Sequence, residues 1–292
     1  MTVKEVLVVI DSLTDKKYSE IIDPFTKINN KFFLIYIIRE LYKFGARNIA
    51  FISSKRSKKV NILIDKFKFQ NINFQNYVLD PVNGNNTLEL AWRKYPKLKT
   101  YTTIRGDTYY DYFHEKNKND LFSDPCFKLS GKDKNQIFAK KMLDKNYVLL
   151  DRDNTINLDQ GYTHKPNQFK AIYKTIDFLQ RILTKKTEVL FFTNQSGVGR
   201  GYYKDEDFWR FSEHVNKFLA KNKITVSGWY YCPHDPTNEI CGCRKPKLGM
   251  YRQALEVWDI NPSKSLFIGD ADSDKEFADR IGIKDFYFPK NL

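Results

Sequence analysis

The chain reads as an α/β protein of two domains, each a mostly parallel sheet flanked by helices in the Rossmann-like manner. Three observations carry this. Strand-length apolar runs alternate with longer helical patterns, the signature of βαβ units. The alternation restarts midway, at Tyr147-Val-Leu-Leu150. The 292 residues exceed the ~100–200 typical of one domain, and a hydrophobic content of 41% with 23 Phe supplies apolar mass for two cores. The boundary is placed at 145/146, giving domains 1–145 and 146–292.

In the first domain, strands are expected near 5–10, 48–53, 76–79 and 101–105, with helices near 31–45, 57–68 and 86–95. Residues 112–145 are polar and charged, with Asp124-Pro125 and Gly131-Lys-Asp, and read as a loop with a short helix leading onward. In the second domain, strands are expected near 147–150, 187–193, 227–231, 265–269 and 285–288. Helices fall between them near 168–185, 205–222, 249–257 and 272–281.

Composition excludes several classes. The apolar runs, such as Leu7–Ile10 and Val189–Phe192, are far shorter than the ~20 residues that span a bilayer. The opening Met-Thr-Val-Lys-Glu lacks the basic and apolar regions of a secretory signal, so a soluble cytoplasmic protein with no membrane partner is expected. Net charge is +14, with 27 Lys+Arg against 16 Asp+Glu in residues 1–145 and 22 against 19 in the remainder. The excess lies away from the chemistry-bearing motifs, so a solvated basic surface is favoured over a nucleic-acid patch.

In open α/β sheets, ligands bind beyond the carboxyl ends of the strands. Four segments deliver polar groups to that rim: Asp151-Arg-Asp153, Thr193-Asn-Gln-Ser-Gly197, Arg244-Lys245-Pro, and Gly269-Asp270-Ala-Asp-Ser-Asp274. Phosphate monoester hydrolysis needs such a set. One carboxylate attacks phosphorus, and a second two residues on protonates the leaving alkoxide. Mg²⁺ offsets repulsion between the anions, while a lysine and a hydroxyl hold charge on the phosphoryl oxygens. Singly, each segment is an ordinary turn, cap or solvated cation; together and in this order they specify a site.

Cys232-x-His234-x6-Cys241-x-Cys243 offers three thiolates and one imidazole within twelve residues. In a cytosolic chain such a cluster reads as metal ligands rather than disulfides. A full tetrahedral set with no open position marks a structural Zn²⁺. Its last ligand directly precedes Arg244 and Lys245, so the ion would fix where those cations point.

The motifs Asp151-Arg-Asp-Asn-Thr-Ile-Asn157, Gly161-Tyr162, Thr193 to Tyr203, Cys232-Pro-His-Asp-Pro236, Cys241 to Pro246 and Gly269-Asp270 resemble the haloacid dehalogenase superfamily. Within it, they are closest to the cap-less subgroup of histidinol-phosphate phosphatases and D-glycero-D-manno-heptose 1,7-bisphosphate 7-phosphatases. The likeness covers residues 147–292 and implies a haloacid dehalogenase-like domain without a cap. It implies Asp151 as nucleophile, Asp153 as general acid/base, and Thr193 and Lys245 as phosphoryl-binding groups. Asp151, the Asp153 backbone carbonyl and Asp270 would ligate Mg²⁺, with Asp274 behind them. Asn194, Arg200 and Arg244 would bind the substrate body, and the zinc loop would shape the entrance in place of a cap.

One residue departs from the family pattern: Asn154 stands where glycine is usual. A left-handed turn is expected there, because asparagine visits that region more readily than other side chains. The cost is expected to be reduced rather than abolished activity.

Val6–Ile10, Ile22-Asp-Pro24, Asn30–Leu34, Val82–Thr87 and Thr103–Asp111 resemble the opening of sugar-1-phosphate nucleotidyltransferases, with Asp107 at a metal-binding position of that family. The loop Asp11–Lys17 lacks the glycines that let phosphates approach backbone amides, and Asp23 replaces a lysine. A degenerate domain serving packing, oligomer assembly or partner binding is therefore expected, with Trp92, His114 and Cys126 structural. The function expected of the whole is hydrolysis of a small sugar phosphate, a heptose 1,7-bisphosphate or relative on a route to nucleotide-activated sugars of surface glycans. Histidinol phosphate is the alternative substrate. A zinc-containing nucleic-acid-binding module and a catalytically impaired scaffold are the alternatives of another class.

Overall fold

The computed structural model describes residues 5–9, 25, 27–43, 45–53, 57–65, 71–79, 93–97, 102–105, 140, 142–238 and 240–292. The chain divides into two compact units, Met1–Met142 and Leu143–Leu292.

The first unit contains β1 (Glu5–Val9), the short pair β2 (Lys27–Ile28) and β3 (Lys31–Phe32), α1 (Phe33–Lys43), β4 (Asn48–Ser53), α2 (Ser57–Asp65), β5 (Asn73–Val78) and β6 (Thr102–Arg105). Its four-stranded sheet runs β5-β4-β1-β6, and every pairing in it is parallel. β5 starts three residues before its expected position. Its Asn-Phe-Gln-Asn-Tyr-Val sequence mixes polar and apolar residues, as suits a strand at the end of the sheet order. The expected features at Asp11–Lys17, Asp23, Val82–Thr87, Trp92, Asp107, His114 and Cys126 lie outside the described residues, as do most of the 86–95 helix and of the 112–145 connector.

The second unit holds β7 (Asn146–Leu150), α3 (Tyr173–Ile182), β8 (Thr187–Asn194), α4 (Ser196–Gly199), α5 (Asp205–Lys221), β9 (Val226–Cys232), α6 (Gly249–Val257), β10 (Ser265–Ile268), α7 (Asp272–Ile281) and β11 (Asp285–Tyr287). The sheet order is β11-β10-β7-β8-β9, parallel throughout. Both faces of such a sheet are covered, so its inner strands are buried along their length rather than on alternate residues. β8 shows this: Thr187 to Thr193 are all buried. On the neighbouring strand Trp229 stacks on Phe191, with ring centroids 3.9 Å apart. α5 turns Phe208, Phe211, Ser212, Val215 and Leu219 inward at helical spacing. α3 starts five residues later than expected, because Pro166–Gln168 forms a separate 3-10 turn ahead of it.

The connectivity places the site. From β7 the chain adds β8 and β9 on one side, then crosses back to add β10 and β11 on the other. A switch point therefore lies between β7 and β10, where the following loops part and leave a crevice. Asp151 follows β7, and its amide donates to the Ile268 carbonyl at the end of β10 (2.9 Å).

Candidate active site

Asp151 is buried, and its carboxylate receives the Lys245 ammonium at 2.7 Å. The same ammonium lies 2.6 Å from Asp274, whose side chain is 2% exposed. Carboxylate oxygens of Asp151, Asp270 and Asp274 lie within 4.8 Å of one another, with Asp270 on the open side. Asp274 thus sits nearer the centre than the sequence suggested. It can do so because it is the third residue of α7, where its other oxygen accepts from the Ala271 amide (3.2 Å). Gly269 makes the approach feasible: a Cβ there would lie 2.5 Å from that oxygen.

Three carboxyls face one ammonium, and the electrostatics follow. Burial pushes the Asp151 carboxyl up to about 7, against the pull of Lys245 and with further upward push from Asp274 and Asp153. Burial alone would disfavour the Lys245 charge, but Asp151 and Asp274 outweigh it and hold the ammonium above its ordinary value. Asp270 is also raised, by desolvation and then by Asp274. The cluster is short of positive charge, and its hard oxygen donors suit a divalent cation such as Mg²⁺.

Asp153 lies outside that oxygen cluster. Its carboxylate accepts from Arg152 Nε and Nη2 (2.7–3.0 Å), Asn157 Nδ2 (3.0 Å) and Gln195 Nε2 (2.9 Å). The guanidinium that holds it is buried, donates to the Thr163 carbonyl (2.7 Å) and lies over the Phe211 ring. Asn154, between Asp153 and Thr155, has φ +52°, the left-handed conformation expected of it. Its side-chain oxygen accepts from the Asp159 amide at 3.0 Å, fastening the turn.

Thr193 is buried at the end of β8, and its hydroxyl accepts from Gln195 Nε2 (2.8 Å). Asn194 is engaged by Lys245: its oxygen accepts from the Lys245 amide (3.0 Å) and its nitrogen donates to the Lys245 carbonyl (3.3 Å). An amide in the strand end therefore fixes the backbone that carries the ammonium. Arg200 reaches Asp235 (3.1 Å) in the loop after β9. Arg244 is partly buried, and its Nη1 has no hydrogen-bond partner.

Cys232, His234, Cys241 and Cys243 present ligand atoms within 4.8 Å of one another. Sγ of Cys232 lies 3.6 Å from Sγ of Cys241, and Nδ1 of His234 lies 3.2 Å from Sγ of Cys243. Zn–S arms of ~2.3 Å give tetrahedral edges of ~3.8 Å, so the quartet has the size of a zinc site, and none of the three cysteines is in a disulfide. The loop is seated on α4: the Gly199 amide donates to the Pro233 carbonyl (2.8 Å). A Cβ on Gly199 would meet the Asp235 backbone at 2.6 Å.

Arg152, Asn157, Gln195 and Tyr203 escaped the sequence reading as site residues. Each lay inside a recognised motif, but only side-chain direction shows that Arg152, Asn157 and Gln195 serve Asp153 or Thr193 and that Tyr203 donates to Gln195 (2.6 Å). The family model described as polynucleotide kinase 3 phosphatase matches residues 146–292. The chain belongs to this family. The same region is 40% identical over 137 residues to a Thermoplasma volcanium protein named "Probable D-glycero-D-manno-heptose-1,7-bisphosphate 7-phosphatase", covering 47% of this chain and 93% of that one. It is 39% identical over 142 residues to the D-glycero-beta-D-manno-heptose-1,7-bisphosphate 7-phosphatase of Haemophilus influenzae, covering 47% and 76%. Among solved structures, the D,D-heptose 1,7-bisphosphate phosphatase of B. bronchiseptica, complexed with magnesium and phosphate, is 28% identical with a TM-score of 0.43, over 46% of this chain and 75% of that one. Among the described residues, no helix is long and apolar enough to cross a membrane.

Proposed function

We propose that residues 146–292 form a Mg²⁺-dependent phosphomonoesterase for a small sugar phosphate, a heptose 1,7-bisphosphate or a close relative. The observation that carries it is the buried Asp151–Lys245–Asp274 contact with Asp270 on its open side. The relatives named above supply the substrate class.

Asp151 attacks phosphorus through a carboxylate oxygen, forming an O–P bond as the bond to the sugar oxygen breaks with its electron pair. Asp153 gives its proton to that oxygen and then takes one from the water that attacks the aspartyl phosphate. That second displacement frees phosphate and restores Asp151. Lys245 and the Thr193 hydroxyl hold the equatorial phosphoryl oxygens, where charge collects in the transition state. Arg244, with an unpartnered buried nitrogen, holds the substrate body together with Arg200. Asp151, Asp270 and the Asp153 carbonyl would hold Mg²⁺, and Asp274 is placed to assist. The ion would neutralise charge shared between the nucleophile and the phosphoryl group. Cys232, His234, Cys241 and Cys243 would hold a structural Zn²⁺, which would fix the segment carrying Arg244 and Lys245. The protein works in the cytoplasm, and the first unit serves assembly or partner binding.

Phosphate release from heptose bisphosphate, hexose phosphates, histidinol phosphate and a 3′-phosphorylated oligonucleotide, with and without Mg²⁺, tests the reading. Mg²⁺-dependent release from the heptose bisphosphate, absent in Asp151→Asn, is expected. Equal background from both proteins would end it, and preference for the oligonucleotide would replace the substrate.

A further inference from the structure

Gln195 stands just before α4, where a side chain would ordinarily cap the helix, yet it makes no cap bond. It is buried, and its amide is fully committed elsewhere. Nε2 donates one hydrogen to Asp153 (2.9 Å) and the other to the Thr193 hydroxyl oxygen (2.8 Å). Oε1 accepts from the Tyr203 hydroxyl at 2.6 Å. This orientation is the one the partners require. Both Asp153 oxygens already accept from the Arg152 guanidinium, so a flipped amide would set oxygen against an accepting oxygen at Asp153.

Two further consequences follow from donor and acceptor bookkeeping. A lone pair of the Thr193 oxygen is occupied by Nε2–H, so the hydroxyl proton is left to point at another acceptor. Burial pushes the Tyr203 phenol well above its ordinary value, so it stays a protonated donor at any working pH. Tyr203 is itself fixed: His164 stacks on its ring, with centroids 4.5 Å apart. Gly197 is required beneath it, since a Cβ there would lie 2.3 Å from a ring carbon.

We infer that Gln195, held by Tyr203, is a positioning residue that sets two catalytic groups at once. It aims the Thr193 proton at the phosphoryl oxygen and holds the Asp153 carboxylate on the Arg152–Asn157 side of the site, in line for the leaving oxygen. The inference rests on the phosphatase reading above. It also accounts for why the dipeptide after Thr193 carries two amides: Asn194 fixes the backbone of Lys245, and Gln195 fixes the acid and the hydroxyl.

The two arms can be separated by the leaving group. An alkoxide from a sugar phosphate needs a proton as it departs, whereas p-nitrophenolate departs without one. A correctly placed general acid contributes ~10²–10⁴-fold to the first case. Gln195→Met should lower kcat on the sugar phosphate at least tenfold more than kcat on p-nitrophenyl phosphate, with a several-fold loss common to both from the Thr193 arm. Tyr203→Phe, which leaves the amide in place without its anchor, should show the same inequality at smaller size. Thr193→Ala should lower both substrates by one factor. Thermal melts of each variant show that it is folded. Equal losses on both substrates for Gln195→Met and Tyr203→Phe, or no loss in either, would overturn the inference while parental turnover still supports the phosphatase reading. A parent that hydrolyses neither substrate would remove both.

Discussion

Lys245→Met replaces the ammonium with an uncharged side chain of similar length and leaves Asp151 and Asp274 facing each other without their cation. The parent contacts are 2.7 and 2.6 Å, and the Lys245 side chain is 2% exposed. Removing one partner of a buried ion pair costs about 3–5 kcal/mol. For a unit of this size that lowers its melting temperature by roughly 6–20 °C. The loss should depend on pH, and its sign follows from the direction of the Asp151 shift. Its carboxyl is raised from 3.8 to about 7, so its contribution to stability is full below 3.8 and is lost as pH rises through 7. Lys245 opposes that rise, so the variant's carboxyl goes higher still, at ~1.4 kcal/mol for each further unit. The gap between variant and parent should therefore be small near pH 4 and widen toward pH 8. Urea unfolding in Mg²⁺-free buffer measures it, with the buried Trp229 and Trp258 as fluorescent reporters. A gap below about 1 kcal/mol at pH 8, or one equal at pH 4 and pH 8, would refute the placement of the ammonium.

Gly269→Ala should drop phosphatase turnover at least tenfold with little change in fold, because the new Cβ would sit 2.5 Å from the Asp274 carboxylate and displace it from Lys245; turnover within twofold of the parent would contradict this. Asn154→Gly removes a side chain from a residue at φ +52° and should leave turnover equal or higher; a large fall would mean that the Asn154 side-chain contacts to Asp159 and Asp270 matter more than the backbone conformation. Cys243→Ser, or a chelator selective for zinc with Mg²⁺ kept in excess, should lower both bound zinc and turnover. Zinc loss with unchanged kinetics would show that the loop does not position Lys245.

Three of the site's four segments were legible because each follows a strand-length apolar run, and the fourth, Arg244-Lys245, because it directly follows the Cys/His spacing. A parallel sheet buried on both faces demands such runs, and its strands end where polar residues begin. Asp151, Thr193 and Asp270 therefore announced themselves as rim residues, and the Cys232-His234-Cys241-Cys243 quartet did so by spacing. Asn154 was legible for a local reason: a left-handed turn is a property of one residue's backbone. The grip of Arg152, Asn157 and Gln195 on Asp153 was not, because nothing in residue spacing tells which way a loop side chain points. Asp274 looked peripheral for the same reason: its reach to Lys245 depends on how α7 leaves β10.

The sequence by itself determined the two α/β units, the strand ends that carry the carboxylates, and the grouping of three cysteines and one histidine that the fold brings within 4.8 Å. These rest on interactions between residues near one another in the chain. The tertiary structure alone decided which carboxyls share the ammonium, that Asn194 serves the backbone of Lys245, and that one buried amide ties Thr193 to Asp153. Each of those contacts joins elements brought together by strand order or loop path, and their distances follow from the packing of the sheet and the turns beside it.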